Sequence, residues 1–325
     1  MPLPIAPILG ILSDNLRKRG SVLPLSKRVA TGWARGLDLP RGGETILYTG
    51  HMYQMIPALE VMSSQMASLE NSIITRFFGI GRLLNKLVNL SFFMSLAASS
   101  EKMRHSNQVL RDIAGLLRDA GVEFGYLYEE ELYAGALVHD EGMDEIFGNH
   151  ARRVAEHLKQ QGVRRLITVD PHTTNMLRQV YPRYVKGFDI EVQSYLEVLA
   201  QAHPDATEPV NGEIVVHDSC VYARYEKMYD QPRELLRAAG LSVREPELSG
   251  KSTHCCGGPL ESLFPAEAHR ISGIRVDQLE AKGKNVVTMC PICWVNLSKA
   301  AGDRLVINDI ANTLASCGRQ ASSSS

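Results

Sequence analysis

The sequence predicts an α/β fold of two pseudo-symmetric repeats, each a small, mostly parallel sheet flanked by helices. Three observations carry that expectation. Short apolar runs alternate with helical patterns, the chain repeats itself in order, and its 325 residues suffice for two sizeable cores.

The repeat rests on four blocks. "GETILYTGHMYQ" (Gly43–Gln54) aligns with "GEIVVHDSCVYA" (Gly212–Ala223), matching Glu44 to Glu213, Tyr53 to Tyr222 and His51 to Cys220. "LLRDAGV" (Leu116–Val122) matches "LLRAAGL" (Leu235–Leu241), and "YAG" (Tyr133–Gly135) falls on "CCG" (Cys255–Gly257). "LITVDPHTTNML" (Leu166–Leu177) falls on "VVTMCPICWVNL" (Val286–Leu297). The offsets are 169, 119, 122 and 120; the first differs because the first half carries an extra segment near residues 60–110.

Residues 1–42 read as an N-terminal extension, 43–205 as a cysteine-free repeat, 212–318 as a cysteine-bearing repeat and 319–325 as a disordered tail. The apolar start Leu3–Leu12 is broken by Pro4 and Pro7 and precedes its basic residues, unlike a secretory leader. Within the first half an inserted apolar helix is expected over Ile73–Ser99, interrupted by Arg76, Arg82 and Lys86. Its uncharged stretch, Leu87–Ser100, is shorter than the roughly 20 residues that span a bilayer. "GIG" at Gly79–Gly81 lacks the third glycine and preceding strand of a dinucleotide site. The Pro-rich, polar run His203–Gly212 reads as the connector.

Each half reads strand, loop, helix, strand, helix. In the second, "EIVVHD" is a short apolar strand and "QPRELLRAAG" a helix stopped by glycine. "AEAHRISGIRVDQLEAKG" is a second helix with a glycine stop, "NVVTM" a buried strand, and "CPICWVNLSKAAG" a helix entered through proline.

With 35 basic and 36 acidic residues, nothing favours nucleic acid or an anionic membrane surface as partner. Five of the six cysteines cluster in the second half: Cys220, then Cys255 and Cys256, then Cys290 and Cys293 as "CPIC". Each group falls at a strand end or loop, and strand ends on one edge of a parallel sheet lie together in space. Five sulfurs exceed the four ligands of a zinc ion, and a soft thiolate set selects iron–sulfur or zinc over hard cations. Gly257 and Gly258 permit the close backbone approach a bulky group needs. A CxxC alone also occurs as a redox pair or structural zinc half-site, and adjacent cysteines also occur as small core residues. Neither explains three clusters confined to one half. His217 and His254 flank these cysteines and are expected to donate hydrogen bonds to sulfur rather than to ligate. Cys317 reads as an incidental buried thiol.

The pattern Cys-x(34)-Cys-Cys-Gly-x(32)-Cys-x-x-Cys resembles the cysteine-rich CCG domain of the heterodisulfide reductase iron–sulfur subunit. "HDSCVYARYEKMYDQPRELLRAAG", "HCCGGP" and "TMCPICWVNL" carry the likeness, strongly over Gly212–Leu297 and weakly over Gly43–Leu177. The resemblance implies one noncubane [4Fe-4S] cluster on Cys220, Cys255, Cys256, Cys290 and Cys293. It implies thiol/disulfide redox chemistry by an oxidoreductase subunit, and partners comprising ferredoxin-type iron–sulfur and flavin subunits. Family members with cysteines in both halves hold two clusters. Here His51, Tyr133, Ala134, Asp170 and Thr173 stand at those places, so the first half is expected to be a degenerate scaffold.

His51, Asp170 and His172 are candidates for proton supply or substrate binding at the cleft between halves, against a simpler role in local packing. Two other readings stand beside the first: an electron-transfer or assembly subunit of a glycolate- or lactate-oxidase-type complex, and a structural zinc scaffold. The expected location is cytoplasmic, with membrane contact only through partners. The opening residues are most similar to the heterodisulfide-reductase-like branch of bacterial sulfur metabolism.

Overall fold

A computed structural model describes residues 5–69, 85, 99–202, 212–261 and 264–324. Most of the expected Ile73–Ser99 helix and the His203–Gly212 connector lie outside those residues. The protein is mixed α/β with two parallel sheets, as the sequence predicts. The first has order β1 (Thr45–Tyr48), β2 (Arg165–Thr168), β3 (Glu191–Ser194). In the second, β5 (Ser242–Arg244) and β6 (Asn285–Thr288) flank β4 (Glu213–His217), and β7 (Val306–Asp309) pairs with β6. All pairs are parallel.

Strand register follows the repeat residue by residue. Ile46 pairs with Leu166 in the first sheet, and Val215 with Val286 in the second. These are the offsets of 169 and 120 read from the sequence. The counterpart of β5 in the first half is reduced to a bridge from Ile46 to Gly125.

The strand–loop–helix–strand–helix reading misses β3, β5 and β7. Each has only three or four residues, with alternating exposure at the sheet edge in β3 and β7. Runs so short and half-polar carry little periodic signal. At the C-terminus, the helix Ile310–Ser324 continues where a disordered tail is expected.

The halves share one core. Leu47, Ile167 and Leu196 of the first half pack in the same buried cluster as Val216, Val287 and Ile310 of the second. The docking is reciprocal. Helix Ser100–Asp119 of the first half packs on helix Ile310–Ser324 of the second, and helix Asp230–Ala238 of the second packs on Tyr195–Gln201 of the first. The aligned tyrosines follow the same exchange. Tyr53 donates to Asp309 Oδ2 at 2.6 Å, and the Tyr222 hydroxyl lies 2.8 Å from Ser194 Oγ.

Candidate metal centre

All three cysteine segments leave the carboxyl edge of the second sheet, where the strands of a parallel sheet converge their loops. β4 ends at His217, and just beyond it Cys220 begins a π-helical turn, Val221–Glu226. The loop after β5 carries Cys255 and Cys256. After β6, Cys290 caps helix Pro291–Ala301, with proline in its first turn and Cys293 just inside. Cys256, Cys290 and Cys293 are buried, whereas Cys220 and Cys255 are partly exposed.

The five thiols are neighbours in an unbroken series, each shifting the titration of the next: Cys220 with Cys255, Cys255 with Cys256, Cys256 with Cys293 and Cys293 with Cys290. Cys220 and Cys256 hold the Cys255 thiol far below its ordinary range. Cys220, Cys256 and Cys293 are pushed up, first by a neighbouring sulfur. Burial pushes Cys290 up, but Cys293 and His172 override it and hold this thiol low. Thiols this close cannot all ionise unless a multivalent cation lies among them.

The backbone is shaped to the same end. Gly257 has φ +80°, and a Cβ there would run into the Ala268 carbonyl oxygen. Its N–H donates to Cys255 Sγ at 3.3 Å. A Cβ on Gly258 would strike Ile292 and lie 3.4 Å from Cys256 Sγ. Ser272 Oγ donates to the Cys256 carbonyl at 2.7 Å, fixing the paired cysteines against helix Pro265–Glu280. Five converging soft donors with a glycine cradle fit a multi-iron sulfur group better than a four-ligand zinc ion.

A ring nitrogen of His217 and the sulfurs of Cys256 and Cys293 lie within 4.8 Å of one another. His254 departs from expectation: its Nδ1 lies 3.0 Å from the Cys255 carbonyl and donates there, not to sulfur. Cys317 is buried and belongs to none of the thiol contacts.

The three first-half candidates separate. His172 reaches across to Cys290, and the two groups act on each other's titration. Its Nδ1 lies 3.6 Å from Asp140 Oδ2. Burial works against its charge, but Asp140 and Cys290 override this and raise its pKa well above the usual imidazole range. Asp170 caps helix Pro171–Asn175 by accepting from the Thr173 N–H at 3.0 Å. His51 stays in its own half, its Nε2 3.9 Å from Glu131. A cavity of about 80 Å³ between the halves is lined by Met52, Met55, Tyr133, His172, Pro259 and Ile292, among others.

Sequence reasoning misses Asp140 and Arg275. Asp140 carries no local signal. Arg275 does, because Ala268, Ser272, Val276 and Leu279 form the buried face of its helix, and an arginine in that phase is anomalous.

Comparison with known proteins agrees with the cysteine pattern. The family model described as "CCG: Cysteine-rich domain" matches residues 98–178 and 214–298, together more than half of the chain. A probable iron-sulfur-binding oxidoreductase, FadF, of Bacillus subtilis is 31% identical over 65% of this chain and 31% of its own length. The EtfAB:quinone oxidoreductase of Syntrophomonas wolfei is 33% identical over 55% of this chain and 27% of its own length. One subunit of the fumarate reductase (CoM/CoB) of Methanothermobacter marburgensis is 29% identical over 46% of this chain and 31% of its own length. The chain spans about a third of the length of these relatives.

Proposed function

This chain belongs to the CCG cysteine-rich domain family, and from that premise we propose that it is the iron–sulfur subunit of a heterodisulfide-reductase-like complex. Cys220, Cys255, Cys256, Cys290 and Cys293 would hold one noncubane [4Fe-4S] cluster. The observation that carries this reading is the unbroken chain of five thiols on three loops of one sheet edge. When bound, such a cluster accepts and returns single electrons and offers iron to a substrate sulfur.

The chain's own residues would do the rest. His172 would hold a proton beside Cys290 while Asp140 orients its ring, so a thiol formed or consumed in the neighbouring cavity would find its proton there. The apolar walls of that cavity would exclude water. Asp170 and His51 would serve the first half as helix cap and packing group. We assign the first half to scaffolding, with His172 reaching out of it to complete the site of the second.

No flavin or nicotinamide fingerprint stands in the sequence, so electrons would come through ferredoxin-type iron–sulfur and flavin subunits. Among the described residues no helix is long and apolar enough to cross a membrane. We assign the complex to the cytoplasm, with any membrane contact made through its partners. A second reading, electron relay without thiol chemistry, is favoured by the names of the relatives, one of which is a quinone oxidoreductase.

The test is anaerobic iron, sulfide and zinc analysis with electron paramagnetic resonance on wild type and Cys256→Ser. About four irons per chain, lost or disturbed in the variant, are expected. One zinc and no sulfide would leave a structural scaffold. With iron present, a signal unmoved by added thiol or disulfide would favour the relay.

A further inference from the structure

Arg275 is fully buried on the inner face of helix Pro265–Glu280. Its Nε–H donates to His217 Nδ1 at 3.0 Å, its Nη1 donates to the Leu248 carbonyl at 2.8 Å and Gln278 Oε1 at 2.9 Å, and its Nη2 donates to Thr253 Oγ1 at 3.5 Å. Among the described residues no carboxylate lies within salt-bridge distance of it. The acids that act on it, Asp218 and Glu245, are both engaged by Arg233.

A guanidinium can only donate. Nδ1 of His217 must therefore be the acceptor nitrogen, which leaves the ring proton on Nε2. That Nε2 is buried and has no hydrogen-bond partner. The ring stands within 4.8 Å of the Cys256 and Cys293 sulfurs and acts electrostatically on Cys255. The strand register places Tyr48 of the first half at the position of His217. Where the cysteines are absent the histidine is absent as well, and Tyr48 turns its hydroxyl to the Leu132 carbonyl instead.

We propose that Arg275 locks His217 in the tautomer that leaves its unpartnered Nε2–H to serve the iron–sulfur group beside the Cys256 and Cys293 sulfurs, and that this pair sets the reduction potential of that group. The inference rests on the iron–sulfur reading above. Reduction adds one electron and breaks no bond. A fixed N–H donor backed by a buried cation stabilises the more negative state and raises the potential. Arg275 touches no ligand sulfur and is a positioning residue.

The experiment is a redox titration followed by electron paramagnetic resonance on the anaerobically loaded chain, with iron content measured on every sample. The variants are His217→Leu, His217→Gln, Arg275→Met and the Arg275→Met/His217→Leu double. At the wild-type midpoint, His217→Leu is expected to lower the ratio of reduced to oxidised cluster about tenfold, which is 59 mV for one electron. Arg275→Met moves it in the same direction. The double variant falls short of the sum of the two single shifts, because part of the Arg275 effect runs through the His217 N–H and only part through its own charge near Cys256 and Cys293. His217→Gln, which keeps a side-chain N–H, stays near wild type.

A fully loaded His217→Leu protein with an unchanged midpoint overturns the proposal, as does full additivity in the double variant. If Arg275→Met fails to fold, the comparison of His217→Leu with His217→Gln decides alone. Wild type without iron would instead remove the premise, a result the iron analysis separates from these.

Discussion

Glu131 and His51 show what burial does to two facing groups in the half that lacks cysteines. Burial pushes the Glu131 carboxyl up to about 8, against hydrogen bonds from the Thr49 hydroxyl and backbone that pull it down. Burial holds His51 down to about 4. Near neutral pH the proton therefore sits on the carboxyl and the imidazole is neutral. In the unfolded chain Glu131 titrates near 4.5, so between about 4.5 and 8 the folded state holds an extra proton and stability falls as pH rises. His51 titrates near 6.5 when unfolded, so between about 4 and 6.5 the unfolded state binds the extra proton and stability rises with pH. The slopes oppose each other below 6.5 and leave a net fall from 6.5 to 8, with a ceiling of about 1.4 kcal/mol per pH unit for one whole proton. Denaturant melts across that range should show a shallower fall in Glu131→Gln than in wild type, the remainder coming from His172 and Asp309, whose folded pKa values are also raised. A variant that keeps the full decline would place the proton elsewhere.

At the scale of elements, the loop from β5 to helix Pro265–Glu280 is built around the paired cysteines. Gly257 must adopt positive φ and leaves no room before the Ala268 carbonyl, a backbone atom that cannot swing aside. Gly257→Ala should destabilise the protein by about 1–3 kcal/mol and lower its iron content. Gly36 has similar φ but open space around it, so Gly36→Ala should carry the backbone strain alone, about 1 kcal/mol, with no loss of iron. Equal iron loss in both would mean that backbone strain, not the cradle, governs loading. The glycines and the proline-led helix at Cys290 were legible in the sequence because each is a local signal. The short edge strands β3 and β7 were not, since only pairing with a neighbour makes four residues a strand.

For the whole molecule, the reciprocal tyrosines matter most. Tyr53 of the first half is the hydroxyl partner of Asp309 Oδ2. Tyr222 of the second has both Ser194 and Thr174 within reach, at 2.8 and 3.3 Å. Removing the Tyr53 hydroxyl leaves a buried carboxylate oxygen without its donor, which costs about 1–3 kcal/mol. Ser194 already serves the Leu196 N–H at 3.3 Å, so Tyr222→Phe should cost less, about 0.5–1.5 kcal/mol. Urea melts of Tyr53→Phe and Tyr222→Phe test the order, and equal losses would mean Asp309 is relieved by its own protonation. Burial already raises that carboxyl to about 7.

By itself the sequence determined the two repeats, the half that carries the thiols and the strand ends from which they project. Those features are written in local periodicity, in glycine and proline, and in the spacing of one residue type. Only the tertiary structure decided which distant side chains meet. His172 reaches Cys290 from the opposite half, Arg275 backs His217, and each tyrosine finds its partner in the opposite repeat. The tyrosine contacts alone join residues 28 and 256 positions apart, and no local pattern encodes them. They exist because two apolar sheet faces, each unable to bury itself alone, close into one core and bring distant polar groups with them.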